Sequence, residues 1–260
     1  MIFDSHAHYD DSAFDADRDD LLTAMQAVGV VGIVNAASDL ASARRSLAMA
    51  DAYPFVYAAV GVHPEAAAAM TAADLDTLRK LYAHPKAVAV GEIGLDYYYD
   101  DACPREQQLW CFEQQLLLAN ELGAPVIVHD RDAHEDTLRL LQKHRPAGVV
   151  HCFSGSVEMM REVVRLGMYI GLGGAVTFKN ARKAPLVAAA VPADRLLLET
   201  DAPYMSPVPF RGKRCDSRMI AHTAARIAEL RGVSAEELLA VTRRNVETLF
   251  GIRPQTCPLV

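Results

Sequence analysis

Two histidines separated by one residue, His6-Ala7-His8, close the first apolar run of the chain. Side chains alternate along a strand, so His6 and His8 leave the backbone on the same side. Neutral imidazole is a common ligand for zinc and its neighbours, and two at one strand end form half a metal site. Alone, such a pair is usually ordinary surface histidine. Company further along changes the reading: Glu92, His129, His151 and Asp201 each close or follow a short apolar run of their own. Four imidazoles and two carboxylates exceed what one tetrahedral catalytic zinc requires, which predicts two adjacent divalent ions. The ligand types suit zinc, manganese, iron or magnesium. No lysine ends a candidate strand, so Glu92 is the bridging candidate.

These residues need a scaffold that gathers separate strand ends. Apolar runs at Ile2–His6, Gly32–Ala36, Val56–Gly61, Ala87–Gly91, Val126–His129, Gly148–His151, Tyr169–Gly171 and Arg195–Glu199 read as eight strands. Helical patterns lie between them, near 18–28, 42–52, 72–82, 104–122, 134–144, 156–166 and 180–190, and two more near 217–231 and 235–249 close the chain. Thr71-Ala72-Ala73-Asp74 and Ser234-Ala235-Glu236-Glu237 are helix N-termini, with a capping hydroxyl and acids in the first turn. Continuous Val/Leu/Ala runs indicate parallel strands buried on both faces. Eight strand–helix units predict a single-domain (β/α)8 TIM barrel over residues 1–260. The missing Gly-x-Gly-x-x-Gly after the first strand argues against a dinucleotide fold. Barrel enzymes build their sites at the C-terminal strand ends, where His6, His8, His63, Glu92, His129, His151 and Asp201 all fall. His84 precedes the fourth strand, and His134, His144 and His222 fall on helices; these read as solvated or capping residues.

Composition narrows the function. Five scattered cysteines without a Cys-x-x-Cys pair argue against a disulfide framework or a thiolate zinc cluster and fit a reducing cytoplasm. No secretory leader pattern or long apolar run appears, so neither secretion nor a membrane span is expected. A net charge of −7 discourages binding along a duplex, whose phosphates call for basic patches. No obligate protein partner is evident.

At this point the motifs resemble a known family. Asp4-Ser5-His6-Ala7-His8, Gly91-Glu92-Ile93-Gly94-Leu95-Asp96-Tyr97, His151-Cys152-Phe153-Ser154-Gly155 and Leu198-Glu199-Thr200-Asp201-Ala202-Pro203-Tyr204 are similar to the signatures of TatD-type metal-dependent deoxyribonucleases. Gly61-Val62-His63-Pro64, Arg211-Gly212-Lys213 and the Asn245 to Phe250 ending match too. The resemblance implies a barrel hydrolase of the amidohydrolase superfamily, often a 3′-to-5′ exonuclease. It implies one metal on His6, His8, Glu92 and Asp201, and a second on Glu92, His129 and His151.

From these readings Asp201 is the candidate to orient and deprotonate the attacking water, with Glu92 and His63 completing the catalytic set. His63 is a substrate-phosphate or leaving-group contact, with ligand orientation as the rival role. Arg131, Glu199, Arg211 and Lys213 are candidate substrate contacts, with Arg214 in the same basic cluster. Glu199 has barrel-interior support of the site as its alternative. Tyr97, Tyr98, Tyr99, Phe153 and Tyr204 are candidates for stacking on unpaired bases, or for packing the loops. Cys152 is read as a small buried hydrophobe turned away from the metals. The expected reaction is phosphodiester hydrolysis at single-stranded or frayed 3′ ends of DNA or RNA. Alternatives are amide or ester hydrolysis, including a D-aminoacyl ester on tRNA, and a non-catalytic metal-loaded binding protein.

Overall fold

A computed structural model describes residues 1–98 and 103–252; Tyr99, Cys257 and the 254–260 tail lie outside them. Eight parallel strands follow one another around a single sheet: β1 (Ile2–Ala7), β2 (Val30–Ala36), β3 (Val56–Val60), β4 (Ala87–Asp96), β5 (Val126–Arg131), β6 (Gly148–Val150), β7 (Tyr169–Leu172) and β8 (Leu196–Leu198). The helices between them are α1 (Arg18–Met25), α2 (Leu40–Ala52), α3 (Ala72–Tyr82), α4 (Arg105–Leu122), α5 (His134–His144), α6 (Val157–Arg165) and α7 (Lys183–Ala190). Helices α8 (Ile220–Arg231) and α9 (Ala235–Phe250) end the described chain. This is the (β/α)8 barrel read from the strand–helix alternation. Ser234 caps α9 as expected: its hydroxyl accepts the Glu237 N–H while the Glu237 carboxylate accepts the Ser234 N–H.

The seam between β1 and β8 lies beside the candidate site. Ala7 pairs with Ala202 in an isolated parallel bridge just beyond β8. His8 N–H donates to Ala202 C=O at 2.7 Å, and Asp201 N–H donates to His6 C=O at 3.0 Å. The Ser5 hydroxyl adds a bond to Leu198 C=O at 3.0 Å. Barrel closure thereby fixes His6, His8 and Asp201 relative to one another.

Two buried shells hold the strands. Phe3, Val34, Ala36, Ala59, Ile127, Val149 and Leu197 fill the barrel interior, and Val246, Phe250 and Ile252 from the end of α9 join this cluster. Ile33, Val90, Val126, Val128, Val150, Leu196 and Leu198 face outward against the helices. Asn245 anchors α9 below β8 by donating to the carbonyls of Ala193 and Leu196, both at 2.8 Å.

Alternation explains half of the site directly: Ile127 and His129, Val149 and His151, and Leu197 and Glu199 lie two apart and share the inward face. It fails for His6 and Glu92. Counting from inward Phe3 and Ala89, strict alternation turns both outward. Register shifts between Asp4 and Ala7 in β1, and between Val90 and Ile93 in β4, reset the parity and bring both residues inside. Strand β4 also continues to Asp96, so Glu92 lies within a strand rather than after one, contrary to the expected end at Gly91.

Gly94 marks where β4 crowds β5. Its φ is +149°, and a β-carbon there would collide with the His129 carbonyl. Gly94→Ala should cost about 1–3 kcal/mol through backbone strain, lowering the thermal midpoint and displacing His129. Calorimetry checks this; an unaltered midpoint would refute the crowding.

Candidate metal centre

The Glu92 carboxylate divides the histidines into two sets. Its Oε2 is 3.2 Å from His6 Nε2 and 3.4 Å from His8 Nε2. Its Oε1 is 2.6 Å from His151 Nε2 and 2.8 Å from His129 Nδ1. Asp201 joins the first set, with Oδ1 at 3.6 Å from His6 Nε2 and 3.4 Å from His8 Nε2. His6, His8, Glu92, His129, His151 and Asp201, from five separate places in the sequence, converge on one mouth.

Hydrogen bonds behind the rings fix their tautomers. His8 Nδ1 lies 2.8 Å from the Ala36 carbonyl, so Nδ1 carries the hydrogen and Nε2 turns a lone pair inward. His129 Nε2 lies 3.0 Å from Asp96 Oδ2, which frees its Nδ1 as the donor atom. His63 is the reverse case. Its Nδ1 accepts the Glu65 N–H at 3.2 Å, leaving a hydrogen on Nε2, 3.6 Å from Glu92 Oε1. Although His63 groups by distance with Glu92 and His129, that tautomer presents N–H rather than a lone pair. Burial lowers the His63 pKa to about 3, so the ring is neutral.

Charge at the centre favours cations. Burial works against ionising Glu92, yet His151, His6 and His63 outweigh it and hold its carboxyl well below the usual range. Burial likewise opposes protonation of His129, but Asp96 and Glu92 raise its pKa to about 10. His8 is raised against its own burial by Asp201 and Glu92. His6, the most enclosed ring, is lowered to about 4 by burial and by His151. A cation entering the centre would displace the extra protons of His8 and His129, and their inner nitrogens would then meet the carboxylates at ligand-like spacing around buried negative charge, a donor set that fits divalent ions.

Three carboxylates outside the expected ligand set support it. Asp4, fully buried, accepts the N–H groups of His6 and Thr200 at 3.2 and 3.0 Å, and the hydroxyls of Thr200 and Ser217 at 2.6 and 2.7 Å. It thus ties β1 to the segment carrying Asp201; burial raises its pKa to about 6. Asp96 orients His129. Glu199, expected either among substrate contacts or as barrel-interior support, takes the interior position, 1% exposed: Oε1 accepts the Cys152 N–H and lies 3.9 Å from His151 Nδ1. Its depth follows from its place directly above inward Leu197, and a β-carbon on Gly171 would strike its carboxylate. Sequence reading passed over Asp4 and Asp96; the signal for both was a carboxylate two or four residues from a ligand in the same motif.

The centre opens into a cleft of about 1090 Å³ lined by His8, His63, Glu92, His129, His151 and Asp201. Arg131 lines it too, with its guanidinium 3.7 Å from the Tyr98 ring centre and 3.9 Å from Asp96. Cys152 also lines the cleft, correcting its expected outward direction: β6 has ended at Val150, and Cys152 adopts φ +42°, where strand alternation no longer applies. Of the aromatics, Phe153 is buried, Tyr97 donates to Asp136, and Tyr204 stands 54% exposed at the rim. Arg211 and Lys213 lie outside this cleft, and Arg214 is engaged by Asp17 at 2.6 Å. The remaining histidines are elsewhere: His84 pairs with Asp51, His134 with Asp130, His144 with Glu113, and His222 packs on Phe210.

The family model described as TatD related DNase matches residues 3–251. The chain belongs to the TatD family. YabD of Bacillus subtilis, named an uncharacterized metal-dependent hydrolase, is 41% identical over 255 residues, covering 97% of this chain and 100% of that protein. The protein of Escherichia fergusonii named 3′-5′ ssDNA/RNA exonuclease TatD is 38% identical over 259 residues, covering 96% and 99%. The crystal structure of the TatD homolog YJJV from Escherichia coli K12 superposes with a TM-score of 0.91 at 36% identity, covering 97% and 98%. This TatD-family protein is a metal-dependent hydrolase. Among its described residues no helix is long and apolar enough to cross a membrane.

Because Asp96 sets the His129 tautomer, Asp96→Asn should weaken divalent-metal binding by about 10–100-fold. Titration calorimetry of the metal-free protein with Mn²⁺ or Zn²⁺ measures it. Unchanged affinity would remove Asp96 from this role.

Proposed function

We propose that this protein is a two-metal phosphodiesterase that removes nucleotides from single-stranded or frayed 3′ ends. The observation that carries the reading is the division of donors by Glu92, with His6, His8 and Asp201 on one oxygen and His129 and His151 on the other. The exonuclease name of the Escherichia fergusonii relative supports nucleic acid as the substrate class. The net charge of −7 supports a strand end over a long duplex.

A divalent ion held there would lower the pKa of bound water below its free value of about 15.7, to about 7 in the case of zinc, and offset phosphate charge. The protein's own groups do the rest. Asp201 accepts a proton from the attacking water as its oxygen bonds to phosphorus and the P–O3′ bond breaks. His8 and the His6 carbonyl hold Asp201 in place, and its backbone adopts φ +63°, a region that aspartate tolerates. His63 points Nε2–H at the substrate. A neutral imidazole cannot surrender that proton, so its part is a hydrogen bond to an oxygen gaining charge. Arg131, on the cleft wall, supplies a cation for a phosphate oxygen.

Asp201→Asn keeps size and one ligand oxygen but removes the proton acceptor, so turnover should fall by roughly 10²–10⁴-fold with the fold intact. His84→Ala, at the opposite mouth, should keep near-normal turnover. Initial rates and thermal melting on both variants test this, and an active Asp201→Asn enzyme would pass the role to another group. Supplying labelled single-stranded DNA, RNA and D-aminoacyl-tRNA with each metal tests the substrate class; selective release of the D-amino acid would replace the phosphodiesterase reading.

A further inference from the structure

Beside the metal cleft lies a second pocket of about 500 Å³, formed by the loops after β1 and β8 and lined by Asp11, Tyr204, Met205, Arg211, Lys213 and Arg214. Asp11, Tyr204 and Met205 line both spaces, so they form a shared wall. The Tyr204 ring is fixed in that wall: its hydroxyl donates to Asp11 Oδ2 at 2.9 Å and its ring lies 6.5 Å from the His8 ring. It is nevertheless 54% exposed, an immobilised aromatic surface next to the ligands.

The charges in the pocket are not equivalent. Arg214 is committed to Asp17 through two bonds of 2.7 and 2.6 Å and to the Ala13 carbonyl at 2.7 Å. Asp11 is likewise engaged, accepting from Ala13 N–H at 2.7 Å as well as from Tyr204. Arg211 rests on the Phe178 ring at 3.7 Å, which holds its guanidinium plane while leaving its N–H edge for a ligand. Neither Arg211 nor Lys213 forms an ion pair among the described residues. Two cations available for an anion therefore stand behind an aromatic face, one side chain away from the metal cleft. A basic groove interleaved with an aromatic platform is what a single nucleic-acid strand requires, phosphate on the cations and base on the ring.

We propose that this pocket binds the nucleotide flanking the scissile bond, with its base against Tyr204 and its phosphate on Arg211 and Lys213. The inference rests on the phosphodiesterase reading for its substrate class. It makes the enzyme sensitive to chain length: a substrate with one phosphodiester fills only the cleft, and a longer strand fills both spaces.

The test compares bis(p-nitrophenyl) phosphate, which has no flanking nucleotide, with oligothymidylates of two to eight nucleotides. For the wild type, KM should fall with length and then level off. In the double variant Arg211→Gln, Lys213→Gln that fall should disappear, raising KM for the longer strands by roughly tenfold, with kcat little moved and a much smaller loss on the nitrophenyl ester. Each lost phosphate contact should flatten the log–log salt dependence of binding by about 0.7. Tyr204→Leu should raise KM in the same length-dependent way, by roughly tenfold, and Tyr204→Phe, which keeps the ring, should recover most of it. Equal losses on both substrates, or wild-type length dependence in the double variant, would overturn the pocket. If the wild type cleaves neither diester, the reaction reading falls. Fluorescence anisotropy of a labelled oligothymidylate in chelator then still decides the pocket, which is overturned if the wild type shows no salt-dependent binding or the double variant binds as well.

Discussion

Removing the Glu92 carboxylate from water costs several kcal/mol unless positive charge or hydrogen bonds replace its hydration. Inside this barrel the compensation comes from four imidazoles on or just beyond three strands, His6 and His8 from β1, His129 from β5 and His151 from β6, all directed at its two oxygens. Much of the mouth can be understood as the means of keeping that arrangement. Register shifts deliver His6 and Glu92 to the interior, Asp96 and the Ala36 carbonyl set the outer nitrogens of His129 and His8, and Asp4 joins the two chain segments that close the barrel. Divalent cations complete the balance in a way protons do less well, because one ion can satisfy several lone pairs at once.

The seam illustrates how fold and chemistry share atoms. Backbone bonds from His8 to Ala202 and from Asp201 to His6 close the barrel and also set the separation of three metal-type residues. Asp4 reinforces the join from a fully buried position with three hydrogen bonds, two from Thr200 and one from Ser217. Such a carboxylate is stabilised by its partners only while all of them stay in place, so it penalises alternative packings of the seam. The geometry of the first candidate ligand set is consequently inherited from the way the barrel shuts.

The barrel was legible because its signals are periodic: eight apolar runs, intervening helical stretches and capping boxes such as Ser234/Glu237 are local patterns. The candidate ligands stood out because imidazoles and carboxylates at apolar strand ends are chemically conspicuous. Parity was less so. No feature of Asp4-Ser5-His6 or Gly91-Glu92 announces the register shifts that turn these residues inward. Glu199 shows the opposite difficulty, since alternation correctly turned it inward but could not give its depth beneath His151 and Cys152. Cys152 was misjudged because a local rule was extended two residues past the end of β6. Arg214 looked like a member of a free basic cluster, and only the fold brings Asp17, far away in sequence, against it.

The packing of α9 has a consequence at the other end of the molecule. Phe250, Ile252 and Val246 join Phe3 and the interior side chains of the strands, so the lower opening of the barrel is filled rather than hollow. The enzyme is a cup, not a tunnel. Whatever enters the cleft must leave by the mouth through which it came, so substrate entry and product release share one path and residence is set by affinity at the rim rather than by enclosure.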